Sequence, residues 1–431
     1  MRNSVRGPRR RRCPRHDLPR CPMPRLRRRC SWKQVDDDRG MVRMPTMEWV
    51  TSSCRLLAST AVDFERERPF AGLRIGAAIH LEPKTATLLL VLARGGADVV
   101  ATGNLRTTQG ATLTFLREQG VTVIGDRTRD PHTEDACLRQ VLATRPHLLL
   151  DNGGGLFLRY LDAPYEGLLG GTEETTSGRA RLMPVRARIK RPVLVINDSP
   201  IKQFAENTHA VGQSVLESFL RITNRATNGR RVTVVGYGAC GRGIAKNFAH
   251  AHARVAVWES DPVRRLEAMF DGYAVPGRQE ALASADIIVT STGNPGILTA
   301  EDLPLLSDGV ILVNAGHLPW EIDVPGLLAH PTVLSCTEPT EGLQTLTLSG
   351  GARVNILTEG HMVNLNGPRP LGNSVESMDL GFTLQARCLE AIAAGRVSAD
   401  QCVVPVPPEI DAQVAQAYVA LAGGERPVNT P

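Results

Sequence analysis

The most specific chemical signal in the sequence is a glycine-rich turn. Residues 236–241 have the sequence GYGACG and lie between a β-branched run, 231–235, and a helical pattern. Glycines in such a turn let the backbone approach a pyrophosphate, whose charge the N-terminus of the next helix stabilises. Glu259 ends the following strand-like run, 21 residues past Gly238, where a carboxylate can accept hydrogen bonds from both hydroxyls of an adenosine ribose. The acid favours NAD over NADP, and the residues assigned to the cofactor here are Gly236, Gly238, Ala239, Cys240, Gly241 and Glu259.

Lys202 and Glu206 are a second candidate pair. They are four residues apart in a long stretch, 202–226, that has apolar residues at helical spacing, so they share one face of the predicted helix. An ammonium and a carboxylate at this spacing form either a surface ion pair or a functional pair. The spacing alone leaves both interpretations open.

Polar clusters follow almost every apolar strand-like run. Taken singly, each also suits a helix cap or a turn. Their repetition at strand ends favours a binding site, because ligands of doubly wound sheets bind at the carboxyl ends of the strands. The position of His317 at such an end favours a functional role for it. The clusters are residues 80–85, 104–109, 151–155, 172–178, 197–207, 290–294 and 314–317.

The elements that must position these clusters are strands alternating with helices, which predicts an α/β fold. Two series of runs indicate two nucleotide-sized units joined by the helix at 202–226, which we expect to act as a hinge. Residues 382–422 are predicted as a helix, a Pro-rich crossing and a helix. The predicted strand runs are 73–79, 97–103, 121–126, 146–153 and 192–198 in the first unit, and 231–238, 253–259, 285–293 and 309–316 in the second.

Composition excludes several classes of protein. No run approaches the roughly 18 apolar residues that a membrane-spanning helix requires, so no membrane association is expected. Residues 1–43 hold 15 of the 50 basic residues and only 4 of the 44 acidic ones, so the rest of the chain is mildly acidic. We expect these residues to be a disordered basic head or the product of a mis-assigned start codon. A nucleic-acid-binding surface needs its basic residues on a folded face, so the concentration of basic residues in this head argues against nucleic-acid binding.

The nine cysteines are scattered without C-x-x-C pairs. Dispersed thiols favour a reducing, cytoplasmic compartment, and we assign no metal ligands.

These motifs together resemble the S-adenosylhomocysteine hydrolase family over most of residues 71–422. The shorter archaeal-type branch is favoured by IHLEPKTA (79–86) and VGQS (211–214). The motifs that carry the resemblance are TEETTSG (172–178), NDSPIK with EN (197–207), GYGACGRG (236–243), WESDP (258–262), TSTGN (290–294), NAGH (314–317) and EGHMVNL (359–365).

The resemblance implies two Rossmann-like doubly wound domains, joined by hinge helices and followed by a small C-terminal helical segment. It implies a substrate domain at 44–210 completed by about 368–395, an NAD domain at 211–367, and an oligomerisation segment at 396–431. A homotetramer or homodimer is expected.

The implied chemistry is a cycle of redox and elimination steps on a purine nucleoside or nucleoside thioether. NAD oxidises the ribose 3′-hydroxyl, which acidifies the C4′ hydrogen, and a base then removes that hydrogen. The C5′ substituent leaves by β-elimination, and the stored hydride finally returns to C3′.

Residue roles are carried over from the family by position. Lys202 and Glu206 are expected at the 3′-hydroxyl, and His80 and His317 near C5′. The other expected substrate residues are Glu174 at the ribose diol, Glu82, Lys84 and Thr85 at the purine, and Asn373 and His361. The other expected cofactor residues are Thr175, Thr176, Ser177, Asn207, Thr292, Gly293, Asn294, Asn314, Gly316 and Asn364. Asn207 is also a catalytic candidate.

The sequence departs from the family pattern at several of these positions. Asn152 stands where the family has an acidic acid/base residue, and an amide cannot exchange protons in that role. A Gly-His-Pro gate is replaced by 372–374, with Asn373 in place of the histidine. His361 stands where an arginine is usual, and Glu206 where an aspartate is usual.

Three hypotheses follow. In the first, which the departures from the family pattern lead us to favour, the chain is a nucleoside dehydratase that eliminates water to form a 4′,5′-unsaturated sugar. In the second, it is a hydrolase of S-adenosylhomocysteine or of an analogue such as S-inosylhomocysteine. The third is a catalytically silent NAD-binding regulator, which retention of Lys202, Glu206, Glu174, His80 and His317 argues against.

Overall fold

The computed structural model describes residues 47–317 and 319–423. The basic head predicted for residues 1–43 therefore lies outside the described residues, as does the end of the predicted C-terminal segment.

Six strands from the first half of the chain and one from near its end form a seven-stranded parallel sheet. Its order is β3-β2-β1-β4-β5-β6-β14, so the strand order reverses between β1 and β4. Loops after these two strands border the crevice where doubly wound folds bind ligands. The strands are β1 (Arg74–Ile79), β2 (Asp98–Gly103), β3 (Thr122–Ile124), β4 (Leu148–Asp151), β5 (Gly170–Glu173), β6 (Val193–Val195) and β14 (Cys402–Pro405).

Helices cover both faces of this sheet, which explains why its strands are almost continuously apolar. In β4, Leu148 and Leu150 pack into the core on one face and Leu149 into the core on the other. The alternation follows from the two-residue period of a strand.

Two strands of the first sheet differ from the prediction. The strand β5 contains Gly170 and Gly171, and therefore lacks the apolar run by which strands are recognised. A Cβ at Gly171 would overlap the carbonyl oxygen of Leu149, so close approach of β4 requires glycine there. The prediction of a Pro-rich crossing after residue 393 is wrong for Cys402–Pro405, because this segment pairs with β6 as an edge strand, where proline is tolerated.

The second sheet has the order β11-β12-β13-β10-β9-β7-β8. Its strand order reverses between β7 and β9, so the loops after these strands border a second crevice. The sequence did not predict β11 to β13, which extend the parallel part as an antiparallel ribbon. The strands are β7 (Arg231–Val235), β8 (Arg254–Trp258), β9 (Ile287–Thr290), β10 (Val310–Asn314), β11 (Val333–Thr340), β12 (Leu343–Leu348) and β13 (Arg353–Leu357).

The helices pack on the faces of the two sheets, and no helix among the described residues is long and apolar enough to cross a membrane. They are α1 (Met47–Ser53), α2 (Arg55–Glu67), α3 (Pro83–Arg94), α4 (Gly110–Glu118), α5 (Pro131–Ala143), α6 (Gly155–Asp162), α7 (Thr176–Leu182), α8 (Arg186–Ile189), α9 (Val211–Thr223), α10 (Ala239–His250), α11 (Pro262–Phe270), α12 (Arg278–Ala283), α13 (Val324–Ala329), α14 (Val375–Ala393) and α15 (Pro408–Gly423).

The predicted connecting helix is present, but its first part is a π-helix, Lys202–Ala210, which continues directly into α9. π-Helical turns are rare and concentrate at functional sites. The helix α10 approaches it closely, since a Cβ at Gly243 would overlap the carbonyl oxygen of Thr208.

The helix α14 returns to the core of the first sheet and fixes the start of α2. The carboxylate of Asp379 accepts hydrogen bonds from the backbone N–H groups of Leu56 and Leu57, each at 2.8 Å. These N–H groups belong to the first turn of α2 and have no partner within their own helix.

Asp379→Ala should therefore lower the free energy of unfolding by about 1–2 kcal/mol, because two buried donors lose their acceptor. Denaturant unfolding measures the change. Asp126→Ala, at a carboxylate whose side chain is 78% exposed, is the control and should change stability by less than about 0.5 kcal/mol. Equal effects of both substitutions would contradict the capping role.

Candidate active site

A lysine held between two carboxylates is the centre of the site. Lys202 Nζ lies 3.0 Å from Glu174 Oε1 and 2.5 Å from Glu206 Oε1. The three side chains are 5–8% exposed, so the pair predicted from the i,i+4 spacing is not a surface ion pair. Glu174 comes from the end of β5, and the other two residues come from the π-helix.

The environments of the two carboxylates push their pKa values apart. Burial alone would raise the pKa of Glu174, but Lys202 and a hydrogen bond from Asn152 outweigh it and lower that pKa. Burial raises the pKa of Glu206, with the negative charge of Glu174 adding to it and Lys202 opposing. Burial would lower the pKa of Lys202, but both carboxylates reverse this and raise it. Lys202 therefore stays protonated, and Glu206 is the readier carboxylate to accept a proton.

Amide side chains extend this cluster on the Glu174 side. Asn152, which follows β4, donates a hydrogen bond from Nδ2 to Glu174 Oε2 at 2.8 Å. Its Oδ1 accepts a hydrogen bond from Asn104 at 2.9 Å. Asn152 thus orients Glu174, and its amide cannot replace the acid expected at this position.

On the Glu206 side the cluster reaches the second half of the chain. Asn373 Nδ2 donates to Glu206 Oε1 at 3.4 Å. Ser214 Oγ donates to Asn373 Oδ1 at 3.0 Å, and Asn364 Nδ2 donates to Ser214 Oγ at 3.0 Å. Sequence reasoning quoted Ser214 only as part of the VGQS motif and assigned it no role in the site.

His80 and His317 face each other with ring centroids 5.7 Å apart. His80 Nδ1 is 2.7 Å from Thr107 Oγ1, which fixes the ring. Burial, helped by the charge of His317, lowers the pKa of His80 to about 3, and burial also lowers the pKa of His317. Both rings are neutral at physiological pH, so each can accept a proton.

The predicted purine residues form a buried group after β1. Lys84 Nζ contacts Glu82 Oε2 at 2.8 Å and donates to the Leu371 carbonyl at 2.8 Å. Glu82 caps α3 by accepting from the Thr85 N–H at 3.3 Å. An ammonium donor and a carboxylate acceptor therefore lie side by side.

His361 lies in different surroundings from those of the other predicted substrate residues. It is beside Glu359, which pairs with Arg106 at 2.8 Å and Arg129 at 3.2 Å. Burial, with the charge of Arg106, lowers the pKa of His361 to about 4. The two arginines come from loops of the first sheet and Glu359 from the loop after β13.

The glycine-rich turn joins β7 to α10, as predicted, and Ala239 and Cys240 begin the helix. Gly236 has φ of 95°, which requires glycine. The turn faces the lysine cluster: burial, together with the nearby charge of Glu206, raises the pKa of Cys240 to about 12.

Glu259 follows β8 and is tied to the same turn. Its carboxylate accepts hydrogen bonds from the backbone N–H groups of Tyr237 at 2.7 Å, Ser260 at 2.7 Å and Asp261 at 3.0 Å. Burial would raise the pKa of Glu259, but these N–H groups lower it and keep the carboxylate charged.

One of the two predicted cofactor loops is held by a residue that sequence reasoning missed, and the other by the predicted Asn314. The carboxylate of Glu321 accepts hydrogen bonds from the backbone N–H groups of Thr292 at 2.9 Å and Gly293 at 2.8 Å. Asn314 is fully buried, and its Oδ1 accepts from the Gly316 N–H at 2.7 Å. No local pattern signalled Glu321, because its partners lie 28 and 29 residues away.

The remaining predicted residues take different positions. Thr175 caps α7 and also donates to Glu173 at 2.7 Å, and Ser177 Oγ is 3.1 Å from Thr175 Oγ1. Asn207 donates to Asn197 at 3.0 Å. Thr176 and Asn294 are exposed.

Comparison with known proteins decides the family. A sequence-family model described as S-adenosyl-L-homocysteine hydrolase matches residues 47–163, and the NAD binding domain of the same family matches residues 207–369. The chain belongs to the adenosylhomocysteinase family. It is an NAD-dependent enzyme of that family, and the predicted fold class is confirmed.

Relatives of this chain carry two different names. An adenosylhomocysteinase from Thermotoga maritima is 37% identical over 376 residues, covering 86% of this chain and 92% of the relative. An S-inosyl-L-homocysteine hydrolase from Methanopyrus kandleri is 36% identical over 395 residues, covering 89% and 92%. An adenosylhomocysteinase from Archaeoglobus fulgidus is 36% identical, covering 88% and 94%.

The residues of this chain fit the NAD that the adenosylhomocysteinase family binds. A Cβ at Gly241 would overlap the Gly236 carbonyl, so the turn closes only with glycine. The charged carboxylate of Glu259 stands beside it to hold ribose hydroxyls. Within the described residues, no cluster of His, Cys, Asp and Glu is arranged to hold a metal ion.

The buried imidazole of His80 should make stability depend on pH. In the unfolded chain its pKa returns to about 6.5. Between that value and about 3, the unfolded chain binds a proton that the folded protein does not, so the free energy of unfolding falls as the pH is lowered. Each pH unit below 6 should cost up to about 1.4 kcal/mol.

His80→Gln should remove this contribution. Urea unfolding of both proteins from pH 7 to pH 5 measures it, and equal pH dependence in both would contradict the burial of a neutral ring.

Proposed function

We propose that this chain hydrolyses a purine nucleoside thioether, S-adenosylhomocysteine or S-inosylhomocysteine. The observation that carries the proposal is the buried cluster of Lys202, Glu174 and Glu206 facing the glycine-rich turn. Such a cluster suits the oxidation of a ribose hydroxyl, because it offers a proton donor, a charged acceptor and a second carboxylate able to take up a proton.

Lys202, Glu206 and Glu174 have separate roles in the reaction at C3′. When bound, NAD supplies a hydride acceptor for C3′ and returns the hydride at the end of the turnover. Lys202 donates a hydrogen bond to the 3′-oxygen and passes the released proton to Glu206, whose raised pKa suits it as the acceptor. Glu174 stays charged and accepts hydrogen bonds from the ribose diol.

Removal of the C4′ hydrogen falls to a histidine. Asn152 cannot accept a proton, while His80 is a neutral imidazole held by Thr107. His80 takes the C4′ proton, the bond from C5′ to sulfur breaks with its electron pair on sulfur, and water then adds to the unsaturated ketone at C5′. His317, facing His80, removes a proton from that water and passes it to the thiolate, while protonated His80 returns its proton to C4′.

A thioether is a better substrate for this site than a 5′-hydroxyl nucleoside. A thiolate leaves with little acid assistance, whereas hydroxide needs much more, since the pKa values of the conjugate acids are roughly 8.5 and 15.7. The lowered pKa values of both histidines leave both rings unprotonated in the resting protein, so neither holds a proton to give to a departing hydroxide. The names of the relatives also favour hydrolysis, so we place the dehydratase hypothesis second.

The silent-regulator hypothesis has no support from the cluster. Burial of a lysine with two carboxylates costs solvation free energy, and a protein that only binds NAD does not need such a cluster.

Two purine bases, adenine and hypoxanthine, suit the residues at the purine position. Adenine presents an amino donor and a ring acceptor, whereas hypoxanthine presents a carbonyl acceptor and an N–H donor. The Glu82 carboxylate and the Lys84 ammonium can satisfy either arrangement.

Thiol release identifies the reaction. The NAD-loaded chain is incubated separately with S-adenosylhomocysteine, S-inosylhomocysteine, adenosine and inosine, and the products are analysed by mass spectrometry. We expect free homocysteine with at least one thioether. A nucleoside product lighter by one water, without thiol release, would establish the dehydratase instead.

Lys202→Ala should abolish reduction of bound NAD on addition of the nucleoside, because the 3′-oxygen loses the ammonium that stabilises its developing negative charge and passes its proton to Glu206. The near-ultraviolet absorbance of the reduced nicotinamide measures it, with circular dichroism as the check on folding. Lys246→Ala, at an exposed lysine of α10, is the matched control and should reduce NAD at the wild-type rate. An unimpaired Lys202→Ala variant would exclude this placement of the 3′-hydroxyl.

A further inference from the structure

The two oxygens of Glu206 have unequal surroundings. Oε1 contacts Lys202 at 2.5 Å and accepts a hydrogen bond from Asn373 at 3.4 Å. The other oxygen, Oε2, is buried and has no hydrogen-bond partner among the residues that the structure describes. The family pattern has the shorter aspartate here, so the extra methylene of Glu206 must find space that an aspartate does not need.

That space lies against Gly381 of α14. A Cβ added at Gly381 would come 2.7 Å from Glu206 Oε2 and 3.8 Å from Lys202 Cδ. The first distance is too short for carbon and oxygen in van der Waals contact, so a side chain at 381 and the present position of Glu206 exclude each other.

The backbone gives no other reason for glycine at this position. Gly381 is not among the residues with positive φ and lies inside a helix of 19 residues. Glycine is a poor helix former, so a glycine inside a helix indicates a packing requirement.

Glu206 cannot simply swing away from an added Cβ. Its side chain is 8% exposed, and Oε1 is held by Lys202. Rotation of the carboxylate would break the contact of Oε1 with the ammonium.

We propose that Gly381 is a positioning residue that admits a glutamate at position 206. The missing Cβ accommodates the longer acid, so residues 206 and 381 form a matched pair: glutamate with glycine, or aspartate with a larger residue. The role of Glu206 at the 3′-oxygen rests on the proposed function, but the packing of the pair does not.

Four full-length, NAD-loaded proteins test the pair: wild type, Gly381→Ala, Glu206→Asp and the double variant. The first readout is the single-turnover rate of NAD reduction by adenosine or inosine. Gly381→Ala should slow it by about tenfold or more in the Glu206 background, and change it by less than about threefold in the Glu206→Asp background.

The second readout is thermal unfolding, which needs no activity. Alanine favours a helix over glycine, so Gly381→Ala should raise Tm when residue 206 is aspartate and lower it when residue 206 is glutamate. Gly110→Ala is the control, because a Cβ there meets nothing within 4 Å, and its effect should be the same in both backgrounds.

Equal effects of Gly381→Ala in the two backgrounds, on rate and on Tm, would overturn the matched pair. If neither nucleoside reduces NAD in the wild type, the proposed function fails. The Tm values of the four proteins then still show whether residues 206 and 381 form a matched pair.

Discussion

The burial of one ammonium between two carboxylates is the interaction on which the site depends. Lys202, Glu174 and Glu206 carry one excess negative charge, and an unpaired buried charge is costly. Burial, with the charge of Glu174, raises the pKa of Glu206, whereas Lys202 and the hydrogen bond from Asn152 outweigh burial at Glu174 and lower its pKa. One carboxylate is prepared to take up a proton and the other stays ionised, which is the division of roles that an alcohol oxidation requires.

The fold supports this cluster from both halves of the chain. Glu174 directly follows β5 of the first sheet, Lys202 and Glu206 lie on the π-helix that leaves this sheet, and Asn373 connects Glu206 to Ser214. The close approach of α10 to the π-helix brings the glycine-rich turn of the second sheet to the same place. Both crevices at the reversals of strand order therefore open toward one site.

Asn152 stands where the family has an acid, so the proposed function assigns the acid/base roles to the two histidines. The amide still holds Glu174 at 2.8 Å, and the histidine pair stands nearby as neutral proton acceptors. Such a site assists departure of a stable thiolate better than that of hydroxide. This physical argument and the relatives agree, against the first of the hypotheses drawn from the sequence alone.

Local patterns were sufficient for the α/β class, most of the parallel strands, the glycine-rich turn with Glu259, and the shared face of Lys202 and Glu206. Apolar runs and short spacings express these features directly in the chain. The glycine-containing strand β5, the edge strand β14, the π-helical turn and the role of Glu321 were decided only by tertiary structure. Each of these features depends on partners remote in sequence. The same holds for the burial that separates the pKa values of Glu174 and Glu206, and for the contact of Gly381 with Glu206. Desolvation and close packing arise only when the two sheets and α14 are assembled.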